Sequence, residues 1–319
     1  MAYLLTDRLK TTANATMTDV PFNTEATSVV EVPRHLPMSL RTGGRWLHQA
    51  GTFLLGLIVL ALLWEAIKLI LHLDTIKLPH ISEVIGAFFQ PLQPAVAGQP
   101  TSPILAALLI DSALYTLREA VVGFALGSLL GFALAVIFAH SRLLERGLMP
   151  FVVGSQMIPI LAIAPMVVIW LGPTAENVGV EWAPVAVIAA YLTFFPVTIN
   201  TLRGLLAVPP TAIELMHSYA ASRREILFKL RVPHALPYIF TALKISATAS
   251  IVGTIIGELP SGIQHGLGGD ILQFSQYYAT GPARLWATNV AAALCGILAF
   301  VLVALAERLI VRWTPVVSP

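Results

Sequence analysis

Six apolar runs of about 20 residues constrain this chain more than any other feature of its sequence. They cover residues 48–71, 113–139, 150–171, 182–202, 237–257 and 285–307. A helix of about that length crosses the ~30 Å hydrocarbon core of a bilayer. Only 11% of the 319 residues are charged, whereas a soluble domain carries roughly 25% charged residues. The sequence therefore predicts an all-α membrane protein with about six transmembrane helices.

The basic residues predict how these helices are oriented. Fourteen of the 19 Lys and Arg residues lie in four segments between or beside the runs: 1–46, 140–149, 203–236 and 308–319. The three loops on the opposite side contain only Lys77. Because cytoplasmic loops carry an excess of Lys and Arg, both termini are expected in the cytoplasm. The net charge of only +2 gives no basic field for binding nucleic acid.

The N-terminal segment differs from the rest of the chain. Residues 1–45 are rich in Thr, Asn, Pro and charged residues, with no apolar stretch of the length that a signal peptide needs. We expect a flexible cytoplasmic tail over 1–45 and a transmembrane domain over 46–315.

Prolines interrupt two of the apolar runs. Pro159 and Pro165 lie in the third run, and Pro184 and Pro196 in the fourth, which predicts breaks in both helices. Broken helices are tolerated in a membrane only where neighbours or a water-filled cavity satisfy the freed backbone. These breaks indicate a translocation path rather than a simple anchor.

The loop 204–236, between the fourth and fifth runs, contains two short predicted helices. Thr211, after two prolines, is expected to cap a helix over 212–219, with Glu214 three residues on as in a capping box. After a turn at 220–222, Ser222 is expected to cap a second helix over 223–230. Pro233 and Pro237 are expected to stop that helix before the next span. A loop that only connected two spans would not need two short helices, so we expect this loop to have a function of its own.

This loop resembles the cytoplasmic coupling motif of ABC-importer permeases, in which a Glu-Ala-Ala group is followed by a glycine and later by Leu-Pro. Glu214 stands at the glutamate, and Leu236-Pro237 closes the motif. Leu215 and Met216 replace the alanines, and Ala220 replaces the glycine. Because alanine is penalised at positive φ, the turn at Ala220 is expected to avoid that region.

Three further segments resemble permeases of the nitrate, sulfonate and taurine branch, so that the resemblance covers about residues 50–312. These segments are 78–84, 112–124 and 158–172. The resemblance implies a type I ABC-importer permease, multi-pass in a prokaryotic plasma or inner membrane. It also implies three partners: a cytoplasmic ABC ATPase, an extracytoplasmic binding protein and a second permease copy. ATP and Mg would be held by the ATPase, so this chain is expected to be no enzyme and to hold no cofactor.

The same resemblance assigns residues to ATPase coupling. They are Ile213, Glu214, Met216, Ala220, Ala221, Ser222, Arg223 and Arg224. Apolar Ile213 and Met216 are expected to fill a groove of the ATPase. Glu214, with Arg223 or Arg224, is expected to make charged contacts at its edge.

Polar and flexible residues within the apolar runs are candidates for the translocation path. They are Gln156, Met157, Asn200, Glu258 and Arg118. Intramembrane charge is a functional candidate by default, but for Arg118 and Glu258 the favoured interpretation is structural: both extend to the membrane interface, or they pair with each other as a structural lock. The histidines are scattered without metal-ligand spacing, so no metal site is expected.

The substrate is inferred from residues 257–262, Gly-Glu-Leu-Pro-Ser-Gly. This segment resembles importers of aromatic heterocycles, such as riboflavin or pyrimidine vitamin precursors, more than sulfonate and nitrate permeases. Apolar spans with few fixed cations also suit a flat ring. The alternative is a sulfonate, taurine, nitrate or bicarbonate permease. An ion-coupled secondary transporter would show inverted repeats and mid-span acidic residues, and an intramembrane hydrolase would show a nucleophile or metal motif; we find neither pattern.

Overall fold

A computed structural model describes residues 42–92, 103–262 and 265–311, and these residues are almost entirely helical. The α-helices are α1 Thr42–Ile70, α2 Ile81–Phe88, α3 Leu105–His140, α4 Arg142–Ser155, α5 Ile160–Asn177, α6 Ala183–Leu206, α7 Pro210–Ser218, α8 Arg223–Glu225, α9 Val232–Ser261, α10 Leu267–Gln276 and α11 Pro282–Ile310. A π-helical segment, Ile226–Arg231, joins α8 to α9, and a 3₁₀ turn, Tyr278–Thr280, precedes α11.

Most of the predicted tail, 1–45, lies outside the described residues, whereas its predicted end lies within α1. Residues 42–45 of the expected tail lie in α1, while residues 1–41 and the end of the expected domain, 312–315, lie outside the described ranges. The extent of the tail stays a prediction.

Within the described ranges, five helices are long and apolar enough to cross a membrane: α3, α5, α6, α9 with the residues that lead into it, and α11. The first predicted run corresponds to α1, a helix of 29 residues. The predicted start of the second span is wrong, because α3 begins at Leu105 rather than at residue 113. Leu105 and Leu109 are buried with Leu267 and Phe274 of α10. That packing holds the polar turn around Asp111 in a helix.

The prolines do not all act as predicted. The third run is interrupted at Pro159, because α4 ends at Ser155 and α5 begins only at Ile160. The predicted breaks at Pro165 and Pro196 are wrong, since both residues lie inside continuous helices. Pro184 lies in the first turn of α6, where a missing N–H costs no helical hydrogen bond. The structure thus has one proline-associated break in these two runs.

Helix α6 packs against both α3 and α9. Gly123, Gly127 and Gly131 repeat every four residues on the side of α3 that faces α6. A Cβ atom on Gly123 would lie 2.6 Å from the Ala186 carbonyl oxygen, and one on Gly131 would lie 2.7 Å from that of Phe194. Small residues allow such close approach of membrane helices, where packing replaces the hydrophobic effect as the driving force.

Two apolar clusters lie at opposite ends of these helices. One joins the N-terminal half of α3 to α2, α9, α10 and α11, and includes Leu105, Ile251 and Phe274. The other joins the last turns of α3 and α6 to the π-helical segment, and includes Phe138 and Leu205. The second cluster anchors the second half of the predicted cytoplasmic loop.

Candidate functional site

The loop that carries the coupling motif forms α7, which begins two residues earlier than predicted. Pro209 precedes the helix and Pro210 occupies its first position. Proline suits that position because its φ is already helical and its missing N–H would have no partner there. The predicted cap at Thr211 is wrong, since Thr211 already lies inside the helix and no side chain caps its N-terminus.

The turn after α7 contradicts the expectation for Ala220. Its φ is +52°, in the left-handed region that the sequence analysis excluded. The Ala220 N–H donates to the His217 carbonyl at 2.9 Å, and the Ala221 N–H donates to that of Met216 at 3.0 Å. This pair of bonds is a Schellman motif, whose residue after the C-cap adopts left-handed φ. The two hydrogen bonds offset the steric cost of about 1–2 kcal/mol for a non-glycine residue there.

The predicted cap at Ser222 is confirmed. Its Oγ accepts from the Glu225 N–H at 3.3 Å, and the Ser222 N–H donates to Glu225 Oε2 at 3.0 Å, which makes a reciprocal capping box. Lys229 Nζ donates to Glu225 Oε1 at 2.8 Å. The start of this second helix is therefore held by its own side chains.

The second helix does not stop at the prolines. It passes through the π-helical segment Ile226–Arg231 directly into α9, with Pro233 in the first turn of α9 and Pro237 inside it. A π-helical segment adds a residue to the turn and marks places where the ordinary helical ladder is interrupted. Arg231 Nη1 donates to the Ala139 carbonyl at 3.1 Å. The coupling loop is therefore tied to both α9 and the end of α3.

The side chains of α7 divide into two faces. Ile213 and Met216 are half-buried, and Ile213 lies in a cavity beside Ile226 of the π-helical segment. Glu214 is exposed, and so are Leu215 at 58% and Tyr219 at 78%. Arg223, Arg224, Ala220 and Ser222 are also exposed, and Ala221 is half-buried. The outward apolar surface of α7 is thus formed by Leu215 and Tyr219, one helical turn apart.

Two of the predicted path residues lie together at the break between α4 and α5. Gln156 and Met157 line a cavity of about 420 Å³ with Tyr191 and Phe195 of α6. Met157 is 80% exposed. The hydroxyl of Tyr191 donates to the Ser155 carbonyl at the end of α4, so α6 satisfies one of the acceptors that the break exposes.

Tyr191 was missed by the sequence analysis. Its ring packs edge-on against the ring of Phe195, with a centroid distance of 4.8 Å. The two residues are four apart on one helix, and this spacing could have indicated that they share a face. Asn200 lies farther along α6 and is not among the residues that line this cavity. Its side-chain amide donates to the Pro196 carbonyl of its own helix at 2.9 Å.

Glu258 lies in a buried network and not beside Arg118. Only 1% of Glu258 is exposed, and its carboxylate accepts from Thr116 Oγ1 at 2.7 Å and from the Gly268 N–H at 2.6 Å. The Leu267 N–H donates to Thr116 Oγ1 at 2.9 Å. This network joins α3, α9 and the start of α10, as a structural lock does.

Arg118 and Glu119 occupy different environments although they are neighbours. Arg118 is exposed, and its guanidinium carbon lies 5.7 Å from the centroid of the Trp182 ring. Glu119 is fully buried next to Glu258. The predicted pairing of Arg118 with Glu258 is therefore wrong. Thr116 and Glu119 belong to the network, and nothing in the sequence relates them to Gly268, about 150 residues away.

An all-helical membrane domain with this exposed loop is the architecture of an importer permease. Residues 123–313 match the family described as "Binding-protein-dependent transport system inner membrane component". The chain belongs to that family and is an inner-membrane permease of the ABC-importer type. The predicted class, fold and membrane localisation are thereby confirmed.

Several relatives and solved structures are similar to this chain. It is 31% identical to the formylaminopyrimidine transport permease ThiX of Halalkalibacterium halodurans, over 69% of this chain and 87% of that protein. It is 30% identical to the riboflavin transport system permease RibX of Chloroflexus aurantiacus, over 71% of this chain and 81% of that protein. A structure of the inward-facing MetNI methionine ABC transporter covers 65% of this chain and 96% of its own, with a TM-score of 0.53 and 22% identity. That last likeness concerns the fold alone.

Proposed function

We propose that this permease carries a small aromatic heterocycle, of the riboflavin or pyrimidine-precursor type, across the membrane. The cavity at the α4–α5 break supports this proposal. Its described lining combines Tyr191, Phe195 and Met157 with the amide of Gln156 and holds no charged side chain. Aromatic and methionine side chains contact flat rings favourably, and an amide can both donate to and accept from a ring edge.

A small inorganic or sulfonate anion fits this lining less well. An anion that leaves water needs compensating donors or cations, and the one arginine considered for the path, Arg118, lies over Trp182 instead. A putative aliphatic sulfonates permease, SsuC of Bacillus subtilis, is 27% identical over 66% of this chain. Two of the relatives that are at least 30% identical to this chain are named as a formylaminopyrimidine permease and a riboflavin permease, and these names favour the heterocycle.

We propose that a separate ABC ATPase docks on α7. Leu215 and Tyr219 provide the apolar contact, and Glu214 lies beside them. Within the described residues, the Glu214 carboxylate forms no hydrogen bond or ion pair, so it can contact the ATPase. This assignment moves the apolar contact of the ATPase from Ile213 and Met216 to the two side chains that face outward. ATP and Mg belong to that partner.

A second permease copy and an extracytoplasmic binding protein complete the proposed importer. Large apolar residues on α5 and α11, such as Trp170 and Leu309, are more than two-thirds exposed. Such surfaces are expected to be covered by the membrane or by a second chain. The orientation with both termini in the cytoplasm stays a prediction from the basic residues.

Uptake into proteoliposomes tests the substrate. The complex of this chain with its co-purifying ATPase and binding protein is reconstituted, and ATP-dependent uptake of labelled riboflavin and formylaminopyrimidine is compared with that of taurine and nitrate. We expect uptake of a heterocycle, reduced about tenfold by Gln156→Leu and little by Met157→Leu, which keeps the polar atoms of the cavity. Uptake of taurine or nitrate alone would contradict the assignment of a heterocycle as substrate. Uptake that needs an ion gradient instead of ATP would contradict the assignment to the ABC importers.

A further inference from the structure

A second cavity, of about 320 Å³, lies where the coupling loop meets the end of α3. Its polar lining consists of His140 from α3, His217 from α7, Arg223 from α8 and Arg231 from the π-helical segment. No Asp or Glu is among the lining residues. Three separate parts of the coupling loop and one transmembrane helix therefore direct basic side chains into one space.

Among the described residues, no carboxylate lines this cavity to neutralise its charges. Glu225, the acidic residue of the neighbouring capping box, is already bound to Lys229 and Ser222. Arg231 uses Nη1 to bind the Ala139 carbonyl, while its Nε is buried without a hydrogen-bond partner in the described residues. A buried charged donor without a partner is costly. The arrangement calls for an anionic acceptor.

The floor of the cavity is apolar. Ile213, Ile226 and Leu227 line it beneath the basic groups, and Ile226 and Leu227 are buried. The cavity also lies at the last turn of a long transmembrane helix, on the side where the basic residues of the sequence predict the cytoplasm. Basic pockets between helices at that membrane surface suit the head groups of anionic lipids.

We propose that this basic cavity binds a phosphate group, and that an anionic phospholipid head group supplies it. The phosphate accepts from Arg223 and Arg231 and lies between α3, α7 and the π-helical segment. The glycerol and first acyl carbons contact the apolar floor. Bound in this way, the lipid holds α7 in a fixed position against the transmembrane helices. This site is independent of the transported substrate.

Lipid binding to the full-length chain, purified without its ATPase, tests the proposal. Isothermal titration calorimetry compares water-soluble dihexanoyl-phosphatidylglycerol, dihexanoyl-phosphatidylcholine and inorganic phosphate. We expect the phosphatidylglycerol to bind more tightly than the zwitterionic lipid. Because a hydrogen bond to a charged group is strong, Arg223→Gln should weaken phosphatidylglycerol binding roughly tenfold or more.

Arg224→Gln is the matched control, because it removes the same charge from the next residue, which does not line the cavity. Its affinity should stay within about twofold of the unchanged chain, as expected of an exposed charge partly screened by salt. Arg223 is exposed, so its substitution leaves the packing intact. His217→Gln gives a second variant from a different helix.

The outcomes separate the two sources of phosphate. Tight phosphatidylglycerol binding that inorganic phosphate does not displace supports the lipid head group. Displacement by millimolar phosphate, with the same loss in Arg223→Gln, supports the phosphate site but assigns it to a soluble ligand. Equal binding of both lipids, or binding unchanged in both Arg223→Gln and His217→Gln, overturns the proposal.

Discussion

The α3–α6 interface and the turn after α7 use small residues in opposite ways. At the interface, three glycines face the α6 backbone so closely that a Cβ atom on any of them would overlap it. In the turn, Ala220 adopts a left-handed φ of +52° that glycine would adopt without penalty. The interface has no free volume for even one carbon, whereas the exposed turn tolerates a moderate conformational cost. Side-chain volume is therefore tightly restricted in the core, whereas the turn of the coupling loop accepts a residue that is not the one best suited to its backbone conformation.

The largest expected effect comes from breaking the interface. Gly127→Val should prevent folding, because its Cβ would overlap both the Ala190 carbonyl and the Thr193 side chain. Overpacking a core with even small additions costs about 1–3 kcal/mol, and here the backbone itself is the obstacle. Detergent-solubilised protein recovered by size-exclusion chromatography is the measurement. Gly147→Val in α4, where no heavy atom lies within 4 Å of the added Cβ, should be recovered normally.

Thr116→Val should have the next largest effect. The change keeps the shape but leaves the Leu267 N–H and a Glu258 oxygen without their partner. Each unsatisfied buried group costs about 1–3 kcal/mol, so we expect a loss of about 2–4 kcal/mol in unfolding free energy. Thermal unfolding in detergent checks it. Thr241→Val, an exposed threonine bonded only to its own helix, is the control, and an equal shift in both variants would refute the network.

Glu214→Arg should leave the fold intact and uncouple the ATPase. Glu214 is exposed, so its substitution costs little stability, but a reversed charge repels a partner that complements it. We expect at least a tenfold loss of ATP-dependent transport, about 1.4 kcal/mol, with unchanged thermal stability. Co-purification of the ATPase is the second readout. A variant that retains its ATPase and transports normally would show that α7 is not the coupling element.

Ala220→Gly should have the smallest effect and the opposite sign. Glycine removes the left-handed penalty of about 1–2 kcal/mol and adds unfolded-chain entropy worth about 0.4–1 kcal/mol. We therefore expect the turn to be stabilised by about 0.5–1 kcal/mol. Slower amide hydrogen exchange of Ala221, whose N–H closes the Schellman motif, is the measurement. Faster exchange would mean that the turn depends on the alanine side chain.

Much of the coupling loop was predictable from local sequence. The Ser222 cap and its partner Glu225 are three residues apart, and a capping box depends only on that spacing. The φ of Ala220 was not predictable from the residue type, because the hydrogen bonds of the Schellman motif outweigh its steric preference. The path of the second helix past Pro233 was missed for a similar reason, since a π-helical segment lies before it.

The candidate translocation path was likewise predictable only where it depends on local sequence. The break at Pro159 and the two residues beside it, Gln156 and Met157, were identified from the apolar pattern and the proline. Their neighbours on α6, Tyr191 and Phe195, come from a different span. Which face of α6 meets the break depends on how α6 packs between α3 and α9.

The sequence by itself determined the membrane class, the approximate spans, the predicted orientation and the coupling motif, because each depends on hydrophobicity, charge or spacing within one segment. Only the tertiary structure decided that Glu258 lies in a buried hydrogen-bond network with Thr116 and Gly268, that Leu215 and Tyr219 are exposed, and that four basic residues share one cavity. Those facts depend on contacts between residues far apart in the chain. Such contacts are selected by packing and hydrogen bonding among helices, which no local pattern records.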